Sequence, residues 1–293
     1  VPDDEGYWAL RNDRAAVVLA RDFVRVSGPD AGTFLQGQLS QDVDAVPVGS
    51  HAWSWLLQPT GKVVALLRVW KLSPEELILD TDPGWGDAVV TRLERFRLRV
   101  RASVEPAGGL RLVTVRGPAA EDRHPLPGLP GYDLLGEAVG PPPGVVVAAP
   151  DAWESVRVEA GIPRMGAELG DDTIPAEAGR WWIDHAVSFT KGCYTGQELV
   201  ARVDSRGGHV PRRLVGVVVP EAVLPPAGAT VRLPDGPEVG RLTSVAESPL
   251  RRAPVALGLL HRRAEVPGEV VVVWEGGEVV SRAEPLPLVS CGS

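Results

Sequence analysis

The chain of 293 residues has two cysteines, one methionine, four phenylalanines and three tyrosines, and each scarcity rules something out. Two cysteines, Cys193 and Cys291, cannot build a disulfide framework, and the sequence holds no Cys-x-x-Cys or histidine-rich metal pattern, which predicts a reducing compartment and no metal site. No apolar run approaches the ~20 residues that a membrane helix needs, and the opening Val1-Pro2-Asp3-Asp4-Glu5 is acidic where a signal peptide would be basic. A cytoplasmic protein without a membrane partner is therefore expected. The net charge of -8 argues against a nucleic-acid surface, which wants clustered Lys and Arg. The local run Arg92, Arg95, Arg97, Arg99 and Arg101 reads as a solvated face. What is plentiful is apolar residues, 44% of the chain, together with 33 Gly and 28 Pro, enough for two or three cored modules separated by turns.

In chain order, Val17-Val18-Leu19 and Phe23 to Val26 read as strand, and Phe34, Leu35 and Leu39 recur at helical spacing after the breaker Ser27-Gly28-Pro29-Asp30. Runs at 51–57 and 62–72 are joined by the turn Gln58-Pro59-Thr60-Gly61, and Leu77-Ile78-Leu79 follows. Val89, Val90, Leu93 and Phe96 mark an amphipathic helix, and strands at 98–104 and 110–115 complete the order. This succession predicts an α+β, ferredoxin-like module with helices on one face of an antiparallel sheet. The stretch 117–150, rich in Pro and Gly, reads as a loop-heavy connector, and 152–160 as a helix capped by Asp151. Past Pro211, six short apolar runs between Pro/Gly turns (214–219, 230–233, 239–245, 255–260, 269–274, 278–283) predict a small antiparallel barrel. The expected organisation is a bipartite region over 1–210, with module boundaries near 45–50 and 110–150, and a barrel domain over 211–293.

One of the two cysteines sits in Lys191-Gly192-Cys193-Tyr194-Thr195-Gly196-Gln197-Glu198, between glycines that admit close backbone approach. Thr195 and Glu198 stand in the relation of a capping box, which predicts a helix start at Thr195. Cys193 would then lie ahead of the positive pole of a helix and two residues from Lys191, both of which favour thiolate. On these residues alone, a buried small hydrophobe in a strand-to-helix turn stays open as an alternative. His185 and His209 flank the motif and read as structural, and the pair Trp181-Trp182 just ahead of it reads as packing. The tail carrying Cys291 reads as a frayed end, its cysteine incidental.

The string K-G-C-Y-T-G-Q-E with Arg202 after it resembles the signature of the YgfZ-type folate-binding proteins, relatives of the glycine-cleavage T-protein, an aminomethyltransferase. The resemblance extends to the segment 27–43, to R-x-E-A-G at Arg157-Val158-Glu159-Ala160-Gly161, to P-x-E-A-G at Pro175-Ala176-Glu177-Ala178-Gly179, and to Gly240-Arg241-Leu242-Thr243-Ser244 and Ala256-Leu257-Gly258 in the barrel. It implies modules around a central channel that binds tetrahydrofolate or a related folate. It also implies support of iron-sulfur cluster assembly or repair, with iron-sulfur enzymes or assembly factors as partners and Cys193 and Lys191 as reacting residues. A pterin presents a donor edge, for which a buried carboxylate is the natural acceptor. By motif position Glu159 is that candidate, with Tyr194, Gln197 and Arg202 as further folate contacts. Where the aminomethyltransferases resemble G-G-x-x-D-D, this chain has Gly61-Lys62-Val63-Val64-Ala65-Leu66, and neither Ala65 nor Leu66 can move a proton. The departure counts against glycine-cleavage turnover. A folate-dependent one-carbon transferase or demethylase, and a non-enzymatic folate-binding regulator, stand as the alternatives.

Overall fold

The computed structural model describes residues 4–220 and 223–289, so the expectation for Cys291 lies outside the described residues. Chain contacts divide into two compact units whose segments alternate along the sequence. One, the motif unit, is Ala20–Leu110 with Arg164–His209; the other, the barrel unit, takes the described residues up to Leu19, Arg111–Pro163 and those from Val210 on.

The motif unit is built on a five-stranded antiparallel sheet in the order β3-β4-β5-β2-β6, from β2 (Asp22–Ser27), β3 (His51–Leu57), β4 (Val63–Ser73), β5 (Glu76–Thr81) and β6 (Ser103–Pro106). Strand alternation sorts β4 into two faces. Ala65, Leu67 and Val69 join Val24, Leu77 and Leu79 in one core with residues of α2 (Ala31–Gln38) and α3 (Gly86–Phe96). Leu66, Arg68 and Trp70 point the other way, and Trp182 of α5 (Arg180–Ala186) meets Trp53 edge-on at 5.2 Å. The expected helices therefore do cover one face. The short helix α5, hidden in sequence by its run of Trp and Ile, packs against β3. A 3-10 turn at Pro175–Ala178 and the helix α6 (Gln197–Ser205) complete the unit.

In the barrel unit, β10 (Arg212–Val218), β11 (Thr230–Arg232), β12 (Glu238–Ser248), β13 (Ala253–His261), β14 (Gly268–Trp274) and β15 (Gly277–Glu284) close into a barrel in the order β10-β13-β12-β11-β14-β15. All six expected strands are present, filled by Val217, Val231, Ala256, Val270, Val272 and Ala283. The helix α4 (Pro150–Ala160) lies on the barrel through Val158, which packs with Leu214, Val255 and Leu257. It ends at Gly161, whose φ of 74° and contact with Leu286, 2.8 Å from where a Cβ would stand, leave room only for glycine.

Three expectations are corrected. The strand expected at 110–115 is β7 (Arg111–Arg116), but it pairs with β1 (Ala15–Leu19) and β8 (Gly131–Gly136), in a four-stranded sheet of order β8-β7-β1-β9, and not with the motif-unit sheet. The connector 117–150 contributes β8 and the short β9 (Val146–Val147), because backbone pairing to β7 and β1 needs no apolar periodicity. Helix α4 starts one residue before Asp151, at a proline whose fixed φ suits the first turn, and Asp151 accepts the Ala152 N–H at 2.9 Å inside that turn. Among the described residues no helix is long and apolar enough to cross a membrane.

Candidate functional site: the cysteine arch

The motif forms an arch between α5 and α6, held at both ends and open in the middle. At its first end the Lys191 Nζ reaches the backbone carbonyls of Gln36 (2.5 Å), Leu39 (2.8 Å) and Gln41 (2.9 Å), and lies 5.3 Å from the centre of the Tyr194 ring. Burial lowers the Lys191 pKa to about 8, with the Asp42 and Asp44 carboxylates pulling the other way. At the second end Thr195 donates its N–H to Gly37 O at 3.2 Å and its hydroxyl to Gln38 Oε1 at 3.4 Å. Gly196, at φ 86°, presses on the turn 58–61: a Cβ there would stand 2.6 Å from Gln58 O and 2.8 Å from the Leu57 Cβ. Gly61 meets Leu199 in the same way, at 2.5 Å.

The helix therefore starts at Gln197 with Gly196 as its cap, and the capping box expected from Thr195 and Glu198 does not form. The left-handed glycine turns the chain before the helix, which sends the Thr195 hydroxyl to Gln38 instead of the helix N–H groups. Gln197, not Glu198, reaches back, its Oε1 accepting the Tyr194 N–H at 3.0 Å. Between the clamped ends Cys193 is exposed, so the alternative of a buried small hydrophobe falls. Gly192 has open space around it, so close approach explains Gly196 and not Gly192. Tyr194 is buried, and burial pushes its phenol up to about 12. Arg202 lies on the exposed side of α6. Lys191, Tyr194 and Gln197 are thus brought together, with Cys193 at the crest between them.

Glu159 belongs to the barrel unit and is fully buried on α4. Its Oε1 accepts the Tyr7 hydroxyl at 2.7 Å and the Ser248 hydroxyl, and its Oε2 accepts Arg11 Nη2 from α1 (Asp4–Asn12). Burial first, and then the Glu159 charge, push the Tyr7 phenol up to about 12. Glu159 is thus the hub of a buried network in which three donors bond its carboxylate, two on Oε1 and one on Oε2. Glu177 is a second carboxylate of the quoted motifs, buried in the 3-10 turn that packs against α5 and α6 in the arch's own unit. Its Oε2 accepts the Ile174 N–H at 3.1 Å.

Sequence reasoning missed a second buried network. Asp80 of β5 sits across from Arg68 of β4 and takes bonds from Arg68 (2.7 Å), Arg21 (2.8 Å) and Trp70 Nε1 (2.6 Å). Burial works against the Asp80 charge, but Arg68 and Arg21 beside it and the bonds from Arg68 and Trp70 outweigh it and hold the carboxyl below its usual range. The signal was an arginine and an aspartate inside apolar runs, at 68 and 80. Arg92, read as solvated, is buried and donates to Leu57 O at 3.0 Å. The packing reading holds for Trp182, which is buried, whereas half-buried Trp181 stacks on exposed His185 at 3.9 Å. Ala65 and Leu66, where carboxylates would stand, are buried in β4.

Residues 212–289 match the glycine cleavage T-protein C-terminal barrel domain. The fold is that of a glycine cleavage system aminomethyltransferase T from Bartonella henselae, whose crystal structure superposes with a TM-score of 0.79 at 20% identity over 98% of this chain and 89% of that one. The class is thus an aminomethyltransferase-type α/β architecture with a six-stranded barrel. An uncharacterized protein of Haemophilus influenzae is 30% identical over 64% of this chain and 67% of its own. An aminomethyltransferase of Lysinibacillus sphaericus is 28% identical over 87% and 81%, and a tRNA-modifying protein YgfZ of Edwardsiella ictaluri is 26% identical over 64% and 65%. The chain belongs to the YgfZ/GcvT-like family.

Proposed function

We propose that this protein binds a reduced folate and supports the assembly or repair of iron-sulfur clusters in partner enzymes, with Cys193 as its reacting group. The observation that carries the reading is the arch: the thiol is exposed on a loop whose two ends are fixed by a lysine on three carbonyls and a glycine on a neighbouring turn. A cysteine kept only for packing has no need of that construction. A lone thiol cannot hold a cluster, which takes about four ligands, so any cluster contact is shared with a partner.

For the folate, a bound ligand would supply a one-carbon carrier. This chain's contribution is a buried acceptor for the pterin donor edge and cations for the glutamate tail. Glu177 takes the first role and exposed Arg202 the second, while Tyr194 and Gln197 shape the arch beside them. The relative's link to tRNA modification is compatible with an indirect part for this chain. Its net charge of -8 is poorly suited to phosphate backbones, so the proposed partners are modifying enzymes and not the tRNA itself. The rival transferase reading lacks a proton-handling carboxylate at Ala65 and Leu66.

The test is complementation of cells lacking the protein, reading cluster-enzyme activity, with calorimetry of tetrahydrofolate alongside. Cys193→Ala and Cys193→Ser should fold, bind folate and fail to restore activity; full restoration by Cys193→Ala overturns the thiol's role. Glu177→Gln should weaken folate binding, and no binding at millimolar folate removes the ligand. Release of ammonia from an aminomethyl-lipoyl carrier at ~1 per second or faster would favour the transferase.

A further inference from the structure

The motif lysine faces away from the role its sequence position suggests. An ammonium carries three N–H donors, and the Lys191 Nζ has three carbonyl oxygens within 2.9 Å, those of Gln36, Leu39 and Gln41. Two of these acceptors, Gln36 and Leu39, have a common origin, and the third, Gln41, lies just past the helix cap. Helix α2 stops at Gln38, and the carbonyls of a helix's last turn and cap have no intrahelical partner. A cation is the natural group to satisfy them, and here it arrives from about 150 residues further along the chain. The segment that supplies the carbonyls also receives the other end of the arch, through Gly37 O and Gln38 Oε1. One stretch, 36–41, thus holds both feet of the loop that exposes Cys193.

We infer that Lys191 is a positioning residue: it fixes the Cys193 arch onto the carbonyls of the α2 terminus and does not act as the electrostatic partner of the thiol. The inference deepens the reading that Cys193 carries the function, and rests on it for its importance, but its geometry can be tested separately. The two roles differ in what the substitution moves. Loss of a thiolate-stabilising charge would raise the midpoint of the pH–rate profile for Cys193 alkylation. Loss of a clip would leave that midpoint in place and free the loop's backbone, starting with the Thr195 N–H bonded to Gly37 O.

The experiment uses the full chain carrying Cys291→Ser, with iodoacetamide as the thiol probe and amide hydrogen exchange as the second readout. Lys191→Met is expected to speed exchange at Thr195 by about tenfold or more while leaving the alkylation midpoint unmoved. Lys191→Gln, which keeps two N–H donors without the charge, should recover part of the protection and serves if the methionine variant fails to fold. An upward shift of the midpoint in either variant, or unchanged exchange at Thr195, overturns the inference. If Cys193→Ala proves fully active while exchange responds as expected, the thiol's function fails and the clip stands.

Discussion

Replacing Glu159 with glutamine exchanges one carboxylate oxygen for an NH2 group and leaves the shape of the side chain. In the folded protein it should be severe. The Glu159 and Arg11 side chains are 0% and 2% exposed, and Arg11 Nε and Nη1 are already without a hydrogen-bond partner among the described residues. Among the described residues the glutamate is therefore the one carboxylate paired with that guanidinium. Removing one member of a buried pair leaves an uncompensated charge and costs about 3 to 5 kcal/mol. Tyr7 and Ser248 lose a charged acceptor at the same time, though both hydroxyls can still bond the amide oxygen. With a urea slope of about 2 kcal/mol/M, the unfolding midpoint should fall by about 2 M. Arg11→Met alone should also destabilise, but in the double variant the two costs should not add, because the charge that each stranded is gone. The assay is urea unfolding followed by tryptophan fluorescence for the four proteins of the cycle. A Glu159→Gln cost under about 1 kcal/mol, or strict additivity with Arg11→Met, would refute the hub and return Glu159 to the role of an open acceptor.

Gly196→Ala should cost about 2 to 4 kcal/mol, from left-handed strain and the clash with Gln58 O, whereas Gly192→Ala should be nearly neutral; thermal melts of both variants compare them. Asp80 is depressed in the folded state, so its stabilisation is complete above the unfolded value of about 3.9 and is lost as pH falls through the lower folded value. Asp80→Asn should lower stability at neutral pH and flatten its fall on acidification, as read by unfolding between pH 2 and 7. Lys191 runs the opposite way from a lysine that gains a carboxylate: with a folded pKa of about 8 against about 10.4 unfolded, the unfolded chain holds the extra proton in that window. Stability should therefore rise modestly with pH from 8 to 10, and Lys191→Met should abolish that part of the rise.

The sequence was most legible where structure is local. The six barrel strands follow from apolar runs cut by Pro and Gly, and each is found where its run stands. The placing of α2 and α3 on one sheet face follows from the alternation of Ala65, Leu67 and Val69 with Leu66, Arg68 and Trp70, while α5 packs on the other face. Local signals failed when two of them competed: Thr195 and Glu198 spell a capping box, but Gly196 between them permits a left-handed turn that the contact with Gln58 rewards. They failed again at β7, whose apolar run fits either sheet and whose partners β1 and β8 are set by chain routing between units.

In the candidate site, Lys191 and Glu159 are both held by groups that no spacing rule reaches. The lysine's acceptors are backbone carbonyls, which are present at every residue and so leave no mark in composition; Gln36 and Leu39 are selected by the end of a helix, and Gln41 by the turn that follows it. The donors to the glutamate, Tyr7, Arg11 and Ser248, come from α1 and β12, which flank α4 only once the barrel unit has closed. A motif residue held this firmly by its own chain is better explained as the support of a site than as its reacting atom. In this motif Cys193 is different: its side chain lies exposed between anchored ends, and that exposure is the observation on which the proposed role of the thiol rests.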